Sequence, residues 1–182
     1  MKVYQLEIPD LLLIELPVFR DDRGTFLERF HSEKFRKFNL PTSFVQDNHS
    51  KSAPGVLRGL HFQRAPSAQG KLVGVTNGKI WDVAVDIRPK SPTYGRYCAA
   101  EISSENNHLL WIPPGFAHGF CVLGDQTADV VYKCTATYDP KTEGGIHWND
   151  PELKISWPLD EPLLSPRDLQ LPFLKDTRDL VF

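Results

Sequence analysis

Gln46 to Lys71 reads QDNHSKSAPGVLRGLHFQRAPSAQGK, and the fold turns on its middle, where Val56 to Gln63 is strand-like. A two-residue period puts Arg58, Leu60 and Phe62 on one face and Leu57, Gly59, His61 and Gln63 on the other. A small-molecule site in the mouth of a β-barrel needs a few polar groups set among apolar walls. His61 beside Gly59, with Arg58 and Lys71 close in sequence, supplies a base and positive charge. The same histidine equally suits a hydrogen-bonded position inside a sheet, so this strand alone leaves its role open.

Working outward, short strand-like runs recur with little helix between them. Leu11 to Phe19 is apolar, with Pro17 marking an edge or bulge. Asp21-Asp22-Arg23-Gly24 is a turn before a run from Thr25 to Phe30. Ser32 to Phe38 is a helix with Ser32 as its cap and Glu33 in its first turn. Extended structure resumes at Phe44 to Asn48. Lys71 to Thr76 and Lys79 to Arg88 flank Asn77-Gly78, a hairpin signal. In the second of these runs Trp81, Val83, Val85 and Ile87 alternate with Asp82, Ala84, Asp86 and Arg88. Tyr97 to Ile102, Leu109 to Ile112, Gly119 to Leu123 and Ala128 to Tyr138 follow, mostly separated by Gly and Pro turns. Such a series describes an antiparallel sandwich or barrel. Ser165-Pro166-Arg167-Asp168 has the residues of a helix start. The expected organisation is one mainly β domain over residues 1–182, with short N-terminal and C-terminal helices, the latter an appendage from about residue 163.

Composition narrows the function. The 182 residues carry a formal net charge of −2, with 41% hydrophobic and 24% charged residues, which is ordinary for a soluble globular chain. That balance argues against a nucleic-acid binder, which carries a broad basic face. Cys98, Cys121 and Cys134 lack CxxC spacing, and Cys121 and Cys134 sit in apolar runs, so free buried thiols are expected. No stretch is long enough to span a membrane and the N-terminus has no apolar signal core, so the chain reads as cytoplasmic.

Trp111 to Phe120 reads WIPPGFAHGF. Its PxGxxH, at Pro113, Gly115 and His118, resembles the second motif of the cupin double-stranded β-helix, where the turn delivers a histidine into the barrel. Metal-binding cupins carry HxH followed by Glu in the first motif. Here Gln63 replaces the second histidine and no carboxylate follows at ligand spacing. A metal requires three or four converging N, O or S ligands. His61 and His118 are too few, so no metal is expected and both histidines are left for proton chemistry or hydrogen bonding.

The resemblance extends beyond that superfamily. QDNHSKS (46–52), VLRGLHFQ (56–63), AQGKLV (68–73), DVAVDIR (82–88), SPTYG (91–95), WIPPGFAHGF (111–120) and EGGI (143–146) are similar to the dTDP-4-dehydrorhamnose 3,5-epimerase family. The likeness runs from about Pro9 to Pro172. It implies an antiparallel cupin jelly roll, no metal or cofactor, a homodimer, and epimerisation at C3 and C5 of a dTDP-4-keto-6-deoxyhexose. It makes His61 the base, Asp168 its orienting carboxylate, Lys71 the group facing the enolate and Tyr132 the general acid. Tyr138, placed on the face of Tyr132 by strand alternation, is the rival acid. The resemblance assigns Arg23, Glu28, Gln46, Asp47, Asn48, His118 and Glu143 to substrate binding. Arg58 and Arg167 join Arg23 as phosphate-gripping guanidinium groups, although the family usually has Lys at position 167. Phe19 or Phe26 would stack on thymine. Outside the resemblance, Asp168 also suits a capping acid three residues after Ser165, and a strand Tyr is ordinarily a core aromatic. An epimerase acting at C3 only or C5 only, and a non-catalytic sugar-nucleotide-binding cupin, remain the alternatives. The segment Val3 to Ile8 is long enough to pair with a neighbouring copy.

Overall fold

Short β-branched and aromatic runs punctuated by Gly and Pro form strands along most of the chain. The computed structural model describes all 182 residues. Its first elements are β1 (Lys2–Gln5), β2 (Leu12–Glu15), β3 (Val18–Asp21), β4 (Gly24–Leu27) and the helix α1 (Ser32–Arg36). Then come β5 (Gln46–Ser52), β6 (Leu57–Gln63), β7 (Lys71–Asn77), β8 (Lys79–Asp86) and β9 (Tyr97–Ser103). The last are β10 (His108–Ile112), β11 (Phe116–Val122), β12 (Ala128–Cys134) and β13 (Glu143–Gly145). Two antiparallel sheets result, ordered β1-β2-β10-β7-β12-β5 and β13-β6-β11-β8-β9, with β3–β4 a separate hairpin. This is the mainly β double-stranded β-helix that the motifs imply.

Apolar burial occurs on three levels. Between the sheets, Val73, Val75 and Val130 of one meet Ile80, Phe116, Phe120 and Val122 of the other. The outer face of the five-stranded sheet (Leu60, Phe62, Val83, Val85) is covered by Ile146, Leu153 and Leu174 of the C-terminal segment. The outer face of the other sheet (Ile14, Leu72, Leu109, Trp111) is partly covered by Phe35 of α1 and Leu40. Apolar side chains are therefore buried on both faces of the central strands. The alternation in β8 consequently sends Val83 and Val85 outward beneath the C-terminal segment, while Ile80 and Ala84 face the interior with Asp82 between them in register.

Several local expectations are corrected. Asn77-Gly78 is not a hairpin turn: β7 pairs with β10 and β12, whereas β8 pairs with β9 and β11. The dipeptide instead turns the chain from one sheet to the other, using the left-handed backbone of Gly78 (φ +73°). The run from Leu11 to Phe19 is split at Pro17, which lacks the N–H a ladder needs. Helix α1 begins after His31, so Ser32 lies inside its first turn and caps nothing. The C-terminal helix reduces to two 3-10 turns, Asp168–Gln170 and Leu174–Asp176. Pro162, Pro166 and Pro172 deny this segment helical continuity, and its Leu163 lies parallel to Val56, held by two backbone bonds to the Gly55–Leu57 stretch.

One irregularity shapes the site. On β6, His61 stands opposite His118 of β11, but Arg58 stands opposite Phe120, so three steps on one strand match two on the other. Such a bulge reverses the facing of residues beyond it. Arg58 therefore lines the same cavity as His61, against the strict alternation expected from sequence. Gly59, inside the bulge, has φ +126°. A Cβ there would sit 2.5 Å from Gly119 Cα and 2.9 Å from the His118 carbonyl oxygen. Gly59→Ala is expected to destabilise the chain by roughly 3 kcal/mol, lowering the melting temperature by about 6–12 °C. A thermal scan with an unchanged midpoint would contradict this.

Candidate active site

His61 sits near the end of β6, and its Nε2 lies 2.7 Å from Asp168 Oδ1. The carboxylate is nearly inaccessible at 5% exposure, while the imidazole is 30% exposed and reaches the cavity. A carboxylate only accepts, so Nε2 carries the proton and Nδ1 keeps a lone pair. The strap after Leu163 delivers Asp168. Ser165 Oγ accepts the Asp168 backbone N–H at 3.0 Å, so half of a capping interaction exists, while the carboxylate itself goes to the histidine. Burial pushes the Asp168 carboxyl up. Hydrogen bonds from His61, Ser165 and the Gly59 backbone, with the His61 charge, outweigh it and leave the group below the usual carboxylate range.

Lys71 opens β7, opposite Cys134 of β12. Its Nζ lies 6.0 Å from the centre of the Tyr132 ring. Burial lowers the ammonium pKa from its ordinary value, opposed by Cys134, Asp82 and Glu143. Burial likewise raises the Tyr132 phenol. His118 is held by a second carboxylate, with Nε2 2.6 Å from Asp82 Oδ1, both deep in the wall. Burial lowers the His118 pKa, with Asp82 pulling the other way. Sequence reading passed over Asp82; the available signal was an acid on the inward-facing set of an otherwise apolar strand.

His61, Asp168, Lys71, Tyr132 and His118 share one cavity of about 490 Å³, lined also by Arg58, Arg167 and Phe120. It adjoins a second of about 330 Å³ that holds Gln46, Asn48, Tyr138 and Glu143, with His61, Lys71 and Tyr132 common to both. At the mouth Glu143 joins two groups: the Tyr138 hydroxyl donates to its Oε2 at 2.7 Å, and Arg167 pairs with its Oε1 at 2.8 Å. Gln46 Oε1 accepts the Tyr138 backbone N–H at 2.7 Å. Strand β12 ends at Cys134, so the following loop places Tyr138, not the alternation expected from sequence. A larger hollow of about 610 Å³ lies on the outer face of the six-stranded sheet, among Arg29, His49 and Lys133, and contains neither His61 nor Lys71.

Three expected site residues lie elsewhere in the chain. Asp47 points outward to Lys133 at 2.7 Å, because β5 turns Gln46 and Asn48 inward and the residue between them must face the other way. Arg23 is at the tip of the β3–β4 hairpin, 90% exposed and paired with Asp21. Glu28 just beyond the hairpin pairs with Lys34. Neither Arg23 nor Glu28 lines the His61 cavity, since the hairpin belongs to neither sheet. The hairpin also carries the exposed Phe19 and Phe26.

No three His, Cys, Asp or Glu side chains converge as a metal cage. Gln63, in the position of a metal cupin's second histidine, donates to the Ser67 and Thr137 carbonyls and accepts the Asp139 N–H. With both histidines already engaged by carboxylates, this is a cupin of the proton-transfer class, an isomerase. The family profile described as dTDP-4-dehydrorhamnose 3,5-epimerase matches residues 5–176. The chain is 52% identical over 170 residues to the dTDP-4-dehydrorhamnose 3,5-epimerase of Shigella flexneri, covering 93% of both. It is also 52% identical over 170 residues to the Neisseria gonorrhoeae protein of the same description, where 93% of this chain spans 51% of that relative. The crystal structure of dTDP-6-deoxy-D-glucose-3,5-epimerase from Legionella pneumophila, in complex with dTDP-4-keto-L-rhamnose, superposes with a TM-score of 0.93 at 45% identity, covering 97% of this chain and 94% of that one. The chain belongs to the dTDP-4-dehydrorhamnose 3,5-epimerase family. No helix is long and apolar enough to cross a membrane.

Proposed function

We propose that this chain epimerises C3 and C5 of dTDP-4-dehydro-6-deoxy-D-glucose to give dTDP-4-dehydro-L-rhamnose. The observation that carries the reading is the His61–Asp168 pair opening into one cavity with Lys71 and Tyr132. C3 and C5 both flank the C4 ketone, so one base and one electrophile serve both centres. His61 Nδ1 takes the α-proton, and the C–H electrons move into the enolate. Lys71 Nζ hydrogen-bonds the developing oxyanion. Tyr132 returns a proton to the opposite face, which inverts the centre. Asp168 holds the tautomer and supports the imidazolium formed. His118, fixed by Asp82, contacts the hexose from the wall. Gln46, Asn48, Arg58, Tyr138, Glu143 and Arg167 bind the nucleotide half, with the guanidinium groups on the diphosphate. Every proton moves between protein groups, substrate and solvent, so the reading calls for no cofactor.

Arg23 and Glu28 enter this reading through a homodimer. The β3–β4 hairpin presents Arg23, Phe19 and Phe26 to solvent, and β1 leaves one sheet edge unpaired. A second copy covering that edge lets the hairpin serve its neighbour's cavity. The three buried free thiols suit a reducing cytoplasm. Light scattering at micromolar concentration is expected to give twice the chain mass; a monomer would contradict the assembly.

The activity is tested by NMR in deuterated water with the dTDP-4-keto-6-deoxyglucose substrate and a chelator present. Deuterium is expected at C3 and C5 of inverted product, at the rate seen without chelator. Exchange at one carbon alone would identify a single-centre epimerase, and binding without exchange a non-catalytic cupin. A chelation-sensitive rate restored by one metal ion would overturn the proton-transfer reading.

A further inference from the structure

Asp168 rides on a strap whose upstream end is tied at Leu163. The downstream tie is Asp150, a buried acid that lines neither part of the cavity. The backbone N–H of Leu174 donates to Asp150 Oδ2 at 2.6 Å, and Leu174 belongs to the same apolar cluster as Leu60, the residue before His61. Asp150 Oδ1 accepts the N–H groups of Glu152 at 2.8 Å and Leu153 at 3.1 Å. Those two bonds make an ordinary Asp-Pro turn, for which one oxygen suffices. The second oxygen goes to the strap. All three partners are donors, a set that an acceptor-only carboxylate satisfies and an amide does not. Between Asp168 and Leu174 the strap follows the domain closely. The Pro172 carbonyl accepts the His147 N–H at 2.8 Å. Leu171 lies over Gly145, where a Cβ would come within 2.6 Å of Leu171 Cδ2. Gly145 is itself the register partner of His61, so a continuous series of contacts runs from Asp150 to the base.

We propose that Asp150 is a positioning residue for the base. By holding the downstream end of the strap, it sets where the Asp168 carboxylate meets His61, and so the tautomer and direction of the imidazole. Downstream of Asp168, Asp150 is the one side chain from the preceding strands and loops that hydrogen-bonds the strap. Without that bond the strap pivots about its tie at Leu163, and Asp168 moves with it. Small displacements matter at this point, since an offset of about 1 Å at a reacting group costs on the order of 10²-fold in rate. Arg167 keeps its own bond to Glu143, so the nucleotide contact does not depend on Asp150. The inference rests on the epimerase reading above, which supplies the reaction that His61 serves.

Asp150→Asn tests it, because the amide keeps the turn through its oxygen and sets its own N–H groups against the Leu174 N–H. Asp150→Ser, whose shorter hydroxyl caps the turn without reaching Leu174, is the second variant and serves if the first does not fold. Proton NMR of the unaltered chain is expected to show a low-field resonance for the His61 Nε2 proton facing Asp168, absent in His61→Asn. In either Asp150 variant that resonance should move upfield or vanish. The kcat for exchange at C3 and C5 should fall roughly 10–100-fold, with dTDP affinity by calorimetric titration unchanged. Added to Asp168→Asn, Asp150→Asn should cost no further activity. A lower melting temperature with resonance and kcat intact would reduce Asp150 to a structural turn and overturn the proposal. A full additional loss in the Asp168→Asn background, or weaker dTDP binding at constant kcat, would overturn it too. Failure of the epimerase reading shows separately, as absent C3 and C5 exchange in the unaltered chain, and the resonance then still tests the positioning.

Discussion

Replacing His61 by Asn is expected to lower proton exchange at C3 and C5 together, by about 10²–10⁴-fold, the scale of one general base. Asparagine keeps a polar planar group near Asp168 but accepts no proton at neutral pH, so the loss isolates basicity from shape. Both carbons should fail together, because a single imidazole serves both flanks of one ketone. Asp168→Asn is expected to cost less, since it removes orientation and charge while leaving the base in place. It should also change acid stability. The folded carboxyl lies below its ordinary value, so its contribution is fully present above the unfolded pKa of about 3.9 and is lost as pH falls through the lower folded value. Below about pH 4 the wild type should lose stability more steeply than the variant, as read by melting temperature against pH. Full exchange in the His61 variant would place the base on another residue.

Tyr132→Phe is expected to uncouple exchange from inversion. With the phenol gone, His61 still removes the proton and Lys71 still holds the enolate, but nothing delivers a proton to the opposite face. Reprotonation then comes from the His61 side and restores the starting configuration. In deuterated water this variant should wash deuterium into unreacted substrate while making little epimer, whereas the wild type places deuterium mainly in inverted product. Tyr138→Phe should turn over with wild-type stereochemistry. Its hydroxyl is committed to Glu143 at the mouth and the residue is 52% exposed, a position suited to gripping the nucleotide end. Normal epimerisation by the Tyr132 variant, with exchange lacking inversion in the Tyr138 variant, would exchange the two roles.

The placement of Asp168 shows how local and tertiary signals combine. Ser165-Pro166-Arg167-Asp168 has the residues of a helix start, and the Ser165–Asp168 bond forms, yet the turn closes as a single 3-10 turn. Prolines on both sides exclude a longer helix, and the strap is instead held against β6 by the Leu163 bridge. The carboxylate then meets a histidine 107 residues away in sequence, a contact that local pattern cannot encode. Asp47 shows the reverse. Alternation already separates it from Gln46 and Asn48, and treating the three as one motif obscured a facing that the two-residue period dictates.

By itself the sequence determined the β character, the approximate positions of most strands and the presence of imidazole, phenol and amine side chains, because periodicity, turn residues and side-chain chemistry are local properties. It also excluded a metal cage at His61, since Gln63 cannot replace an imidazole ligand. Only the tertiary structure decided which strands share a sheet. Asn77-Gly78 has the same local chemistry whether it closes a hairpin or turns a corner, and the choice rests on burial of Val73, Val75 and Ile80 between two sheets. The bulge that brings Arg58 to the side of His61 was likewise set by pairing with β11, as was Asp82 behind His118. These depend on distances between residues far apart in the chain, fixed only when packing closes the β-helix.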